Sequence, residues 1–97
     1  MEFSISDLVL ATAGREKGKL FYVIGTEGVY VLLADGKSRK LEHPKRKKMI
    51  HVRRVSRGES NVAGKLARGE KVLNSELRRD LAVYRRDHPS QNQGGLI

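Results

Sequence analysis

The chain has 97 residues, no Cys, no Trp, 38% hydrophobic residues and a formal net charge of +9. That length holds one small domain with a short appendage, a size that argues against a deep enclosed cleft and so against most enzymes. The lack of Cys excludes a disulfide framework, a thiolate zinc site and thiol catalysis, and no apolar run is long enough to cross a membrane as a helix.

In chain order, the N-terminal MEFSISD is acidic and lacks the basic-then-apolar order of a signal peptide, which points to a cytoplasmic protein. Leu8 to Ala13 is an apolar run of strand length that stops at Gly14. Leu20 to Ile24 predicts a second strand and Val29 to Ala34 a third, with Gly25-Thr26-Glu27-Gly28 turning between them. Asp35-Gly36 is a two-residue hairpin signal. It predicts a fourth strand over Arg39 to Glu42 and a fifth over Met49 to Val52, with Pro44 and the Lys45-Arg46-Lys47-Lys48 run as the loop between them. Five short strands of this kind cannot bury both faces of a flat sheet, so the expected form is a small, strongly curved barrel.

After Arg57 the pattern changes. Gly58-Glu59-Ser60-Asn61 reads as a linker, and Val62 to Arg68 as a short helix stopped by Gly69. Asn74 or Ser75 is placed to cap a second helix, with Glu76 near its positive end. Leu73, Leu77, Leu81 and Tyr84 form one narrow apolar stripe on it, expected to pack on the barrel or on the first helix. Arg78, Arg79, Arg85 and Arg86 share one flank. From His88 the composition is that of a flexible tail. The predicted organisation is therefore a barrel at 1–57, a helical appendage at 58–87 and a tail at 88–97. Phe3, Val9, Phe21, Val23 and Val31 are assigned to the core, and Tyr22 and Tyr30 complete it with their hydroxyls at the rim.

The charge is concentrated. Residues 37–57 carry ten basic side chains and one acidic one, a net +9, while the rest of the chain balances. A focused positive field suits a polyanion, most simply nucleic acid. Lys45, Arg46, Lys47 and Lys48, with Lys37, Arg39, Lys40, Arg53 and Arg54 nearby, are the candidate phosphate contacts. The loop Gly14-Arg15-Glu16-Lys17-Gly18-Lys19 adds Arg15, Lys17 and Lys19 on a turn framed by Gly14 and Gly18. Such a loop can enter a groove of folded nucleic acid. Few aromatic side chains are present, which favours recognition of shape and backbone over reading of single strands.

Catalytic and metal chemistry find no support. His43, His51 and His88 are scattered without ligand spacing, and no GxGxxG or Walker motif occurs. GREKG lacks the following Lys-Ser/Thr of a phosphate-binding loop. No enzyme activity, metal or cofactor is expected.

The stretch Ser6-Asp7-Leu8-Val9, Ala13-Gly14, Lys17-Gly18-Lys19 and Val23-Ile24 resembles a KOW motif, and Val31 to Gly36 with the basic segments after it extends the likeness over about residues 3–55. The chain is most similar to the stand-alone KOW domain-containing RNA-binding proteins and to KOW-bearing large-subunit ribosomal proteins. Ser6 and Phe21 depart from the pattern, since many members have Gly at both positions. The resemblance implies an SH3-like barrel of KOW type, RNA binding, and association with ribosomal RNA or the large ribosomal subunit. The expected protein is a monomeric, non-enzymatic RNA-binding module. The alternatives are a transcription elongation-type module that binds polymerase or another protein, and a peptide-binding adaptor.

Overall fold

A computed structural model describes residues 2–89. Five strands form one antiparallel sheet: β1 (Leu8–Ala11), β2 (Leu20–Glu27), β3 (Tyr30–Ala34), β4 (Lys45–Lys48) and β5 (Val52–Ser56), in the order β4-β3-β2-β1-β5. Helices α1 (Asn61–Ala67) and α2 (Asn74–Asp87) follow. The tail expected from His88 lies, from residue 90 on, outside the described residues. No helix among the described residues is long and apolar enough to cross a membrane.

Both faces of the sheet are buried, by different means. Side chains alternate along a strand, so Val9 and Ala11 of β1 face one way and Leu8 and Leu10 the other. Val9, Ala11, Phe21, Val23, Val31, Leu33 and Val52 form an inner cluster, with Phe3 and Met49 packed against it. Leu8, Leu10, Leu20, Tyr22 and Ala34 form an outer cluster that Ala63 of α1 and Leu77 and Leu81 of α2 cover. This is why β1 and the first half of β2 are apolar at every position and not at alternate ones. The helix stripe thus packs on the sheet and on α1 together, although Leu73 at its start stays 53% exposed.

Two strand assignments need correction. Residues Arg39 to Glu42 are not a strand, because Asp35 does not make a two-residue turn. Its carboxylate accepts from the backbone N–H of Lys37 (2.9 Å) and Arg39 (2.8 Å) and from the Ser38 hydroxyl (2.9 Å). This side-chain turn widens the loop to Pro44, and the return strand begins only at Lys45. The basic run is therefore β4 itself. An edge strand of Lys and Arg is protected against pairing with other chains, and its backbone pairs with β3 regardless of its charge. Met49–His51 is a 3-10 turn and not strand, and β5 starts at Val52. That turn is fixed at both ends: Met49 N–H donates to the Val29 carbonyl at 2.8 Å, and Thr12 N–H donates to the His51 carbonyl at 2.9 Å. No ladder joins β4 to β5, so the expected barrel is not closed by hydrogen bonds. β2 also runs further than expected, through a bulge at Ile24-Gly25, and turns only at Gly28-Val29.

The helices are locked onto the sheet by polar contacts. Ser60 caps α1 by accepting from Ala63 N–H at 3.0 Å. Neither Asn74 nor Ser75 caps α2. Glu76 does so, accepting from Leu73 N–H at 2.9 Å, while Asn74 accepts from Leu41 N–H at 2.8 Å and ties the helix to the β3–β4 loop. Arg78 donates to the Gly36 carbonyl at 2.7 Å. The Tyr22 hydroxyl reaches Asp80 on α2, and burial with that contact pushes its pKa well above the ordinary tyrosine range.

Candidate nucleic-acid interface

The loop between β1 and β2, residues 12–19, is built around one acid. Gly14 (φ +80°) and Gly18 (φ +88°) take left-handed conformations that fold the chain sharply back, and Gly18 N–H donates to the Ala11 carbonyl at 2.9 Å. This turns Glu16 inward, where it is only 5% exposed. Arg39 from the β3–β4 loop donates to its carboxylate at 2.6 Å, and Lys47 Nζ of β4 lies 4.0 Å away. A Cβ on Gly14 would come within 3.0 Å of that same Nζ, so the glycine leaves room for the lysine.

The bond from Arg39 holds the Glu16 carboxyl below the ordinary glutamate value of 4.5; burial opposes this, and the fields of Arg39, Lys45 and Lys47 add to it. Because the folded value is the lower one, the stabilisation from Glu16 is complete above pH 4.5 and drains away as pH falls through the folded value. Glu16→Gln should cost about 2 kcal/mol at neutral pH, the scale of a charge-assisted hydrogen bond. It should also flatten the stability curve on the acid side. Thermal melts of the two proteins from neutral pH down to about pH 3 check this, since the other carboxylates titrate in both.

The basic strand does not present four cations to one side. Register pairs Lys45 with Leu33 and Lys47 with Val31, which belong to the inner cluster. Arg46 pairs with Leu32 and Lys48 with Tyr30 on the outer face. Lys47 is 8% exposed and runs its apolar stem along the core toward Glu16. Arg46 lies over the Tyr30 ring, 4.5 Å from its centre, and 3.8 Å from Glu27. Tyr30 is thus half-buried under a guanidinium and is not a core residue.

The remaining cations divide by role. Arg54 donates to the Glu2 carbonyl at 3.0 Å and stands 3.5 Å from the buried Asp7, so it pins the N-terminal segment. With Arg39 and Lys47 it is committed to the fold. Lys37 and Lys40 are exposed on the β3–β4 loop. Lys17 and Gly18 share a shallow cleft with Arg53 of β5, floored by Leu10, Ala11 and Thr12. Arg15 and Lys19 are exposed on the same loop. The loop therefore stands between two banks of charge: Arg39, Lys45 and Lys47 around Glu16 on one side, and Arg53 beside Lys17 on the other. Among the described residues, Arg15, Lys17, Lys19, Lys37, Lys40, Lys45, Lys48 and Arg53 have no carboxylate within 4.0 Å.

Sequence reasoning missed Glu16 as the organising residue. Its only signal was that it is the one acid in GREKGK. It also missed Thr12, which carries no distinguishing pattern. No protein-family model matches the chain, and no curated protein matches it.

Proposed function

We propose that this protein binds structured RNA, on the ribosome or in association with translation, as a KOW-type SH3-like module. The observation that carries the reading is the excess of cations around the β1–β2 loop. The loop's one carboxylate, Glu16, is turned inward onto Arg39 and Lys47, while Arg15, Lys17, Lys19, Lys45 and Arg53 have no acidic partner within 4.0 Å among the described residues. Phosphates are the partner that such an array accepts, through ion pairs and release of condensed counterions.

Three features support the KOW likeness. Ser6 takes φ +78°, the conformation that glycine favours, at the position where many members of that family have Gly. Gly14 and Gly18 both need the left-handed region in the loop the motif brackets. Val52 of β5 and Val31 and Leu33 of β3 belong to one inner cluster with Val9 and Phe21, as the concave face of a small barrel would have it. We read the curled sheet as a small barrel on that ground.

The test is a salt titration with a ribosomal RNA hairpin, followed by fluorescence anisotropy. Phosphate docking gives a log–log slope of about −0.9 per phosphate contacted on a duplex, so four or five contacts give about −4. A slope near zero, with tight binding to polymerase or to a peptide instead, overturns the reading.

A further inference from the structure

The apolar tip of the molecule carries an inference that rests on the RNA reading and sharpens it. Val29, at the β2–β3 turn, is 62% exposed, and Ile50, in the 3-10 turn, is 67% exposed. The bond from Met49 N–H to the Val29 carbonyl brings the two turns together. Gly28, Val29, Lys48, Met49 and Ile50 line one shallow hollow that is mostly apolar and holds no carboxylate.

This hollow is set within the cationic array. Along the chain Ile50 falls between Lys48 and Arg53, neither of which has an acidic partner among the described residues. His51, the next residue, is bonded through its carbonyl to Thr12 N–H, and Thr12 floors the Lys17–Arg53 cleft. The Met49–His51 turn thus joins the two features: its first residue is bonded to Val29 beside Lys48, and its last is bonded to Thr12 of the cleft. A ligand complementary to both would offer negative charge to Lys48 and to the Lys17–Arg53 cleft, and an apolar surface to Val29 and Ile50. A nucleotide whose base has left the stack does so; a fully paired helix shows only phosphates and base edges there.

We propose that Val29, Met49 and Ile50 form a seat for one unstacked base of the bound RNA, its flanking phosphates held by Lys48 on one side and by Lys17 and Arg53 on the other. The proteins to compare are the wild type and Val29→Ser/Ile50→Ser, whose replaced side chains are exposed and so leave the core intact. The probes are a fully paired RNA hairpin and the same hairpin with a single bulged 2-aminopurine.

The wild type should bind the bulged hairpin about tenfold more tightly, the gain expected from removing roughly 60 Å² of apolar surface from water, and should change the 2-aminopurine emission on binding. The double variant should lose both the preference and the emission change, and keep the affinity for the paired hairpin and its salt slope. Equal binding of both hairpins by the wild type overturns this proposal and leaves the RNA reading standing, as does a variant that retains the preference. Failure to bind either hairpin overturns the RNA reading itself, and this proposal with it.

Discussion

Gly36→Ala and Gly58→Ala should each lower the melting temperature by about 12–24 °C, the shift that about 3 kcal/mol produces in a domain of this size. Two costs add at each position. Gly36 has φ +77° and Gly58 φ +69°, and a left-handed conformation costs a residue with a Cβ about 1–2 kcal/mol. The second cost is steric. A Cβ on Gly36 would lie 2.3 Å from the Asn74 carbonyl oxygen, and one on Gly58 would lie 2.1 Å from the Ser6 carbonyl oxygen. Both obstacles are backbone, so the first turn of α2 or the turn before β1 must move. Such overpacking adds about 1–3 kcal/mol. Gly18→Ala and Gly28→Ala supply the control. They too have positive φ, but their Cβ positions have nothing within 4 Å, so only the conformational cost of about 1–2 kcal/mol remains. Equal losses across all four variants would mean that neither the first turn of α2 at Gly36 nor the Ser6 turn at Gly58 lies within contact of a Cβ.

Part of the fold was legible in the sequence and part was not, and burial divides the two. β1 and β2 declare themselves as unbroken apolar runs, and the Leu77–Leu81 spacing declares the buried face of α2, because burial is what hydrophobic pattern reports. β4 was illegible for the same reason. Its four residues are all cationic, and it is a strand because β3 offers it a free edge and not because its side chains seek the core. Asp35-Gly36 misled in a different way. The pair fits a tight hairpin, but the Asp35 carboxylate finds three donors further along the chain and holds a wide loop open. Gly36 is then needed less for a hairpin than for the contact with Asn74 and Arg78.

The candidate site divides along the same line. The excess of positive charge and the glycine-framed loop are both visible as composition. Which cations face outward is not, since that depends on strand register and on one acid. Lys47 looks like its neighbours in the sequence, yet the two-residue alternation of a strand turns it inward beside Glu16. Arg39 and Arg54 likewise belong to ion pairs with acids 23 and 47 residues away. Val29 and Ile50 have no distinguishing pattern at all, because only the 3-10 turn brings them side by side.

This division changes which substitutions report on RNA binding. Replacing all of Lys45 to Lys48 mixes two faces and removes Lys47 from the buried group, so lost affinity would be entangled with lost stability. Lys17→Ala/Lys45→Ala/Arg53→Ala takes one cation from the loop and one from each bank, and none of the three is in an ion pair among the described residues. Its melting temperature should fall by only a few degrees, since Lys45 acts on Glu16 through its field alone while the bond from Arg39 is kept. If each side chain meets one phosphate, the log–log salt slope on a duplex hairpin should become shallower by about 2.7, three contacts at about 0.9 each. At about 0.1 M salt the same relation makes the loss of affinity between two and three decades. Arg68→Ala/Arg79→Ala/Arg86→Ala, with three cations from the helical side, should leave the slope within about 1 unit of the wild type. If the helical triple flattened the slope and the loop triple did not, the RNA would lie across α1 and α2, and the β1–β2 loop would be a folding device and not a contact surface.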